Sequence, residues 1–298
     1  MKKSLLAQEF LINTIIKISG YSAIFFVGII FYFLLSQGLP ALNQVDFSSL
    51  LNPRWYPIEE YYGLLPLISG SIVVTLGATM VAVPFGIGTA IFIAEVAPRW
   101  ARELLKPFVE ILAGLPSVVL GFLGIVALSP ILRNLLNLPT GLSALAGSLL
   151  LGAIAIPTIV SVAEDALDAV PKEYRDGALA LGATEWQTIW TITLPAARSG
   201  VLTASMLGIA RAIGETMTVM MVTGNAPVLA NSLRVFFSPV RTMTATIAAE
   251  MGEVANGSTH YHVLFLIGIV LFVISLVINI TISAALFQHT KRSEKLLS

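Results

Sequence analysis

The chain has 298 residues, 56 % hydrophobic and only 11 % charged, and its 17 basic and 17 acidic residues leave no net charge. An average soluble domain is roughly 25 % charged, so lipid is the expected solvent, and the charge balance gives no reason to expect nucleic acid as a partner. With no cysteine, disulfide frameworks, thiolate metal sites and cysteine nucleophiles are excluded.

Six stretches are long and apolar enough to cross a hydrocarbon core of about 30 Å, which takes ~20 residues. The first runs from Leu11 to Leu35 behind Lys2 and Lys3. Its apolar run exceeds the roughly 7–15 residues of a signal core and ends in SQGLPAL without a small-x-small cleavage site, so it reads as a retained helix. The second, third and fourth spans run from Leu67 to Ala94, Phe108 to Leu132 and Leu142 to Ala163.

Pro84, Pro116 and Pro157 fall inside these spans and are expected to kink or interrupt them. Gly86, Gly88, Gly114, Gly121, Gly124, Gly147 and Gly152 suit close helix approach in lipid. In AGLPSVV, Gly114, Pro116 and Ser117 have two readings: a packing kink, or a helix opening that turns the Ser117 hydroxyl toward a pathway. Glu164 and Asp165 close the fourth span and read as a solvated helix end.

Between Pro171 and Pro195 lies a polar, amphipathic island, PKEYRDGALALGATEWQTIWTITLP. Pro171 suits a first helical turn, and Tyr174, Ala178 and Leu181 then fall at i, i+4 and i+7 on one face, with Lys172, Glu173, Arg175 and Asp176 on the other. Gly182 is placed for a left-handed C-terminal cap, and Thr184 with Gln187 reads as a capping box that opens a second helix. The expectation is two short helices joined at an angle, a knob that a soluble partner grips.

The fifth span, Ser199 to Thr223, holds Arg211-Ala-Ile-Gly-Glu215. Arg211 lies roughly 18 Å along the helix from Ser199 at about 1.5 Å per residue, near the membrane midplane. An ionisable residue there costs about 2.5–3.5 kcal/mol on insertion scales, which makes it a functional candidate. Spacing i to i+4 predicts that Glu215 shares the face of Arg211 and neutralises it. Two readings stay open: an ion pair that locks packing, or a guanidinium fork for a passing oxyanion held by Glu215, with hydroxyl donors from Thr216 and Thr218.

Arg241 to Glu253 reads as an external amphipathic or a re-entrant segment, and His260 and His262 as membrane-boundary residues without a metal. The sixth span is Val263 to Phe287. With the N-terminus inside, the cytoplasmic segments carry twelve cations (Lys2, Lys3, Lys17, Arg99, Arg102, Lys106, Lys172, Arg175, Arg198, Lys291, Arg292 and Lys295) against Arg54, Arg133, Arg234 and Arg241 outside. The positive-inside rule then puts both termini and the knob in the cytoplasm. None of the seven lysines follows a glycine, so no phosphate-binding G-x-x-x-x-G-K-[ST] loop exists and any ATP is bound elsewhere.

The island resembles the coupling loop of permease subunits of ATP-binding-cassette importers, E-A-A-x3-G-x9-I-x-L-P. Asp176, Gly177, Ala178, Gly182, Ile192, Leu194 and Pro195 match it with every spacing kept, Asp replacing Glu and Gly replacing Ala at the first two positions. VPFGIGTAIFIAEVAPR at 83–99, LKPFVEILAGLPSVVLGF at 105–122, RAIGETM at 211–217, PVRTMTATIAAEMGE at 239–253 and HYHVLF at 260–265 narrow the resemblance to phosphate-specific permeases of the PstC type.

The resemblance implies an all-α polytopic fold of six transmembrane helices, the type I ABC importer permease fold. Residues 1–62 would be an accessory helix and outer loop, and 63–298 the five-helix core with a cytoplasmic coupling loop at 164–197. It implies no enzyme activity and no cofactor. Implied partners are a PstA-like permease, two ATPase subunits that bind ATP, and an extracytoplasmic phosphate-binding protein, at the bacterial inner membrane. Arg211, Glu215, Thr216 and Ser117 would line the substrate path, and Tyr174 would join the matched loop residues in coupling. Sulfate, molybdate or tungstate is the alternative substrate, and an ATPase-independent carrier gated by Arg211 and Glu215 the alternative mechanism.

Overall fold

The computed structural model describes the backbone of residues 2–297 and the side chains of residues 12–232, 234–281 and 284. The cations counted at the two ends, Lys2, Lys3, Lys291, Arg292 and Lys295, lie outside the described side chains.

The principal helices are α1 (Lys2–Gly38), α2 (Leu65–Val96), α3 (Arg99–Ala113), α4 (Ser117–Leu136), α5 (Ala144–Asp168), α6 (Lys172–Ala180), α7 (Glu185–Ala196), α8 (Arg198–Gly214), α9 (Met217–Val222), α10 (Met243–Glu250) and α11 (Thr259–Leu297). The strands are β1 (Trp55–Tyr56) and β2 (Tyr61–Tyr62), an antiparallel hairpin turned by Glu60 in the left-handed region at φ 62°. Five helices are long and apolar enough to cross a membrane, and α7 with α8 makes a sixth, broken span bent by 74°.

Helix α5 is central, packed between α2 and α8. Ile159 of α5 is fully buried in a notch made by Gly86 of α2 and Gly208 of α8, and a Cβ at Gly86 would lie 2.7 Å from the Ile159 side chain. Small residues let the backbones approach where the apolar effect between helices is weak in lipid. Two glycines expected to pack do not. Gly88 faces open space and Gly114 meets only the carbonyls of its own preceding turn. Pro84 and Pro157 sit inside α2 and α5, each of which continues past its proline; only Pro116 lies in a break.

Two expected spans are interrupted. The third does not begin at Phe108: α3 ends at Ala113, residues 114–116 break the chain, and the crossing helix is α4. Gly114 caps α3, and Pro116, which lacks an N–H and disfavours helix in the residue before it, separates α3 from α4. The fifth breaks at Glu215, whose backbone is extended (φ −70°, ψ 130°), before α9 restarts at Met217.

Helix α1 touches the rest of the chain mainly through α11, with Phe31 on Phe272 (ring centroids 4.9 Å) and Phe33 on Phe265 (5.5 Å). The segment after α9 folds back into the bundle. Val240 N donates to Thr223 O (2.9 Å), Met243 N donates to Ser71 Oγ (2.9 Å), and α10 packs against α2, α9 and α11. His260 and His262 are more than boundary residues here. Glu250 accepts from Arg241 Nη2 (2.7 Å) and Trp55 Nε1 (3.2 Å), and its other oxygen meets His260 Nε2 (2.8 Å), while His262 Nδ1 meets Gln37 O (2.7 Å). Among the described residues no group of three or more His, Asp or Glu is placed to hold a metal ion.

Candidate functional site

The two helix breaks meet. Arg211 sits in the last turn of α8, and its Nη2 donates to Ala113 O (3.1 Å), a carbonyl freed where α3 stops; its Nη1 donates to Thr158 Oγ1 on α5 (3.1 Å). Thr218 Oγ1 donates to Ser117 O (2.9 Å) across the same junction. The carbonyl of Ala113, left without a helical partner where α3 stops, is thus taken by a side chain flanking the other break, and the hydroxyl of Thr218 adds a second link between the two breaks through the first carbonyl of α4.

The expected pair of Arg211 with Glu215 does not form. Helical i to i+4 spacing ends at Gly214, and the extended Glu215 instead accepts from Thr216 N and Thr218 N (both 3.2 Å), capping α9 with its carboxylate at the helix N-terminus. Arg211 makes no ion pair among the described residues. Its hydrogen-bond partners are neutral, so no ion pair balances the guanidinium directly, and only two of its five donors are engaged among the described residues. The side chain is exposed, facing away from the single chain's core.

The other members of the expected path differ in role. Thr216 Oγ1 donates to Gly214 O (3.3 Å) and Thr218 Oγ1 to Ser117 O, so both hydroxyls serve backbone carbonyls. Ser117 is half-buried, and among the described residues its carbonyl is engaged and its hydroxyl is not.

The knob has the expected form. Helix α6 ends before Gly182, which is left-handed at φ 89°, and α7 opens with a complete capping box: Gln187 N donates to Thr184 Oγ1 (3.2 Å) and Thr184 N to Gln187 Oε1 (2.9 Å). Asp176 and Gly177 are exposed, Ala178 and Ile192 half-buried. Tyr174 (59 % exposed) and Leu181 (92 %) project outward, so the predicted apolar face is left uncovered by this chain. Leu194 is half-buried and Pro195 exposed. Pro195 removes an N–H donor, and the turn before it, Ile189–Thr193, widens to π-helix.

Arg175, expected on the solvated side, turns inward. Its Nη2 and Nε donate to Glu95 (2.6 Å and 3.2 Å), Nη1 donates to Val170 O (2.7 Å), and Nη2 also donates to Leu167 O (2.8 Å). One guanidinium therefore caps the C-terminus of α5 and clamps the knob to the end of α2.

Glu164 is likewise not a solvated helix end. It is 2 % exposed and accepts from Arg102 Nη2 (3.2 Å) and Lys106 Nζ (2.6 Å), while Lys106 also reaches Asp165 (3.1 Å) and Arg102 reaches Asp168. The hydrogen bond to Asp168 raises Arg102 above its ordinary value, and that to Glu164 raises Lys106, both against partial desolvation. The signal in the sequence is two like-charged i, i+4 pairs, basic Arg102 and Lys106 on one helix and acidic Glu164 and Asp168 on another, each of which needs an opposite charge from elsewhere.

Comparison with known proteins agrees with this layout. Residues 82–292 match the family described as binding-protein-dependent transport system inner membrane component. The probable ABC transporter permease protein YqgH of Bacillus subtilis (strain 168) is 42 % identical over 78 % of this chain and 75 % of its own length. The phosphate transport system permease protein PstC of Xylella fastidiosa (strain Temecula1 / ATCC 700964) is 33 % identical over 86 % and 83 %, and that of Mesorhizobium japonicum is 35 % identical over 80 % and 77 %.

In fold, the chain is similar to the MetNI methionine ABC transporter in its inward-facing conformations (TM-score 0.57, 16 % identity, 78 % of this chain and 99 % of that one). A bacterial ABC transporter involved in the import of the acidic polysaccharide alginate is similar too (TM-score 0.57, 14 % identity, 87 % and 95 %). The chain, a multi-pass helical membrane protein with an exposed two-helix knob, belongs to the family of binding-protein-dependent transport system inner membrane components, as an ABC importer permease subunit of the PstC type.

Proposed function

We propose that the chain forms half of the translocation path of an ATP-driven inorganic phosphate importer, and that Arg211 is its anion contact. The observation that carries this reading is the guanidinium of Arg211, set at the meeting of two broken helices with neutral hydrogen-bond partners and no ion pair among the described residues. An arriving oxyanion supplies the missing charge and takes up the free donors of the fork. The name phosphate transport system permease carried by several relatives favours phosphate over sulfate, molybdate and tungstate.

The other half of the path would be a PstA-like permease covering the exposed face of Arg211, with an extracytoplasmic phosphate-binding protein delivering substrate. Two ATPase subunits would bind ATP and grip the knob at Tyr174, Leu181 and the neighbouring Asp176, Gly177 and Ala178. This chain itself would hold no cofactor. Both termini and the knob would be cytoplasmic, residues 1–62 an accessory element, and 63–298 the core with its coupling loop at 164–197.

Force has a covalent route: α7 leads through the bend at Ala197 into α8, whose last turn carries Arg211. The clamp of Arg175 on Glu95 would make α2 move with the knob. Rocking of these helices would open the path alternately to each side. A proton-linked gate made of Arg211 and Glu215 has no geometric support, because the two residues do not meet.

The test is to copurify the chain with its ATPase and permease partners, reconstitute the complex in proteoliposomes with the phosphate-binding protein supplied, and measure labelled phosphate uptake. ATP-dependent uptake that unlabelled phosphate suppresses and sulfate, molybdate and tungstate do not is the expected result. Uptake suppressed better by one of the other oxyanions would reassign the substrate.

A further inference from the structure

A cleft of about 850 Å³ opens in the elbow between α2 and the α7–α8 bend. Ile87, Ile91 and Phe92 form one wall and Leu194, Val201 and Leu202 the other. Trp186 and Trp190 line it as an edge-to-face pair with centroids 5.7 Å apart, both exposed. Arg198 contributes the one charge in the lining, and among the described residues it makes no ion pair or side-chain hydrogen bond.

From this we infer that the cleft is a binding site for an anionic phospholipid, with acyl chain against the aliphatic walls and headgroup phosphate on Arg198. The inference rests on the cytoplasmic placement of the knob proposed above. Three observations define the occupant. The walls are apolar over nearly their whole extent, so a soluble polar ligand would lose its hydration without gaining hydrogen bonds. The indoles combine an apolar body with an N–H, the chemistry of side chains at the membrane–water boundary. The single cation, unpaired, sits where α8 enters the membrane, and basic pockets between helices on that side attract anionic headgroups. A lipid seated here braces the 74° bend between the knob and the helix that bears Arg211.

Gly88 gives a clean probe, since a Cβ there meets no atom within 4 Å and a larger side chain enters the cleft instead of the packed interior. The transporter assembled with its partners would be reconstituted in nanodiscs of mixed phosphatidylglycerol and phosphatidylcholine, re-extracted, and its retained lipid measured by mass spectrometry.

The parental complex should retain phosphatidylglycerol in preference, undiminished by added inorganic phosphate. R198Q should lower that preference about five-fold, the effect of one cation near an anionic surface. G88W should lower retention of both lipids while the complex stays assembled. Equal retention of the two lipids by the parent, an unchanged preference in R198Q, or displacement by inorganic phosphate would overturn the assignment. So would a G88C variant, in a chain with no other cysteine, whose thiol carries an attached photoreactive diazirine that inserts on illumination into a partner chain and not into lipid. Retention is read without transport, so its failure leaves the transport reading untouched, and a failed uptake assay leaves the lipid assignment standing.

Discussion

Arg211 of α8 donates a 3.1 Å hydrogen bond to the carbonyl of Ala113, the last residue of α3, so the cation of one interrupted helix closes the backbone of another. Glu215 completes the opposite half of the junction by capping α9. Cation and carboxylate thus do separate work four residues apart.

That separation predicts additivity. Removing the cap in E215A should cost about 0.5–2 kcal/mol of stability. In a cycle with R211A the coupling energy should stay within about 0.5 kcal/mol, the value for independent sites. Thermal denaturation of the four purified proteins measures it, and a coupling above 1 kcal/mol would mean the two charges interact after all.

At the knob, Gly182 is left-handed and a Cβ there would touch nothing within 4 Å, so a substitution acts through backbone strain alone. G182V should cost roughly 1–2 kcal/mol locally and misaim α7, lowering uptake while the complex still assembles. Asn tolerates this conformation, and G182N should restore most of the uptake. Uptake and transport-linked ATPase activity both unchanged in G182V would sink the coupling assignment.

The clamp between knob and α2 is mostly buried, with side-chain exposure of 19 % at Arg175 and 9 % at Glu95. R175A strands Glu95 and two carbonyls and should destabilise by about 3–5 kcal/mol. The paired variant R175M/E95M should recover much of that stability but leave coupling impaired, because the helix end loses its cap. Chemical denaturation of both variants is the measurement.

Glu164, buried on α5 against α3, ties the stability of this end of α5 to two cations whose affinity for protons is raised. A cation with a raised folded value contributes stability that is complete below its unfolded value, 10.5 for Lys106, and is lost as pH rises through the folded one. Melting temperature should therefore show no loss from this network between about pH 7 and about pH 10 and an added fall above that, absent in K106Q. K106Q should also melt lower at neutral pH, since Glu164 keeps only Arg102.

Much of this was legible in the sequence because local rules decide it. The first, second, fourth and sixth spans, the Gly182 cap and the Thr184–Gln187 box depend on neighbours a few residues away, and they appear where composition and spacing put them to within a few residues. What escaped was set by distant parts of the chain. Helical spacing alone pairs Arg211 with Glu215, but the helix ends one residue short of the acid, and the carbonyl of Ala113 and hydroxyl of Thr158 take the guanidinium. Arg175 reads as a solvated residue of α6 until Glu95, eighty positions earlier, comes into contact. Glu164 reads as a helix end because its cations lie on α3, whose amphipathic character the apolar run from Phe108 conceals.

Phosphate uptake by assembled R211A in proteoliposomes addresses the central claim most directly. With Glu215 still capping α9, the variant should insert, assemble and hydrolyse ATP, and its uptake should fall at least about tenfold, on the order of the 1.4 kcal/mol that one charge-assisted contact supplies. Lys at this position keeps the charge without the fork, so R211K should recover only part of the rate. Uptake by R211A at close to the parental rate would show that Arg211 merely closes the α3 terminus and that the anion passes elsewhere.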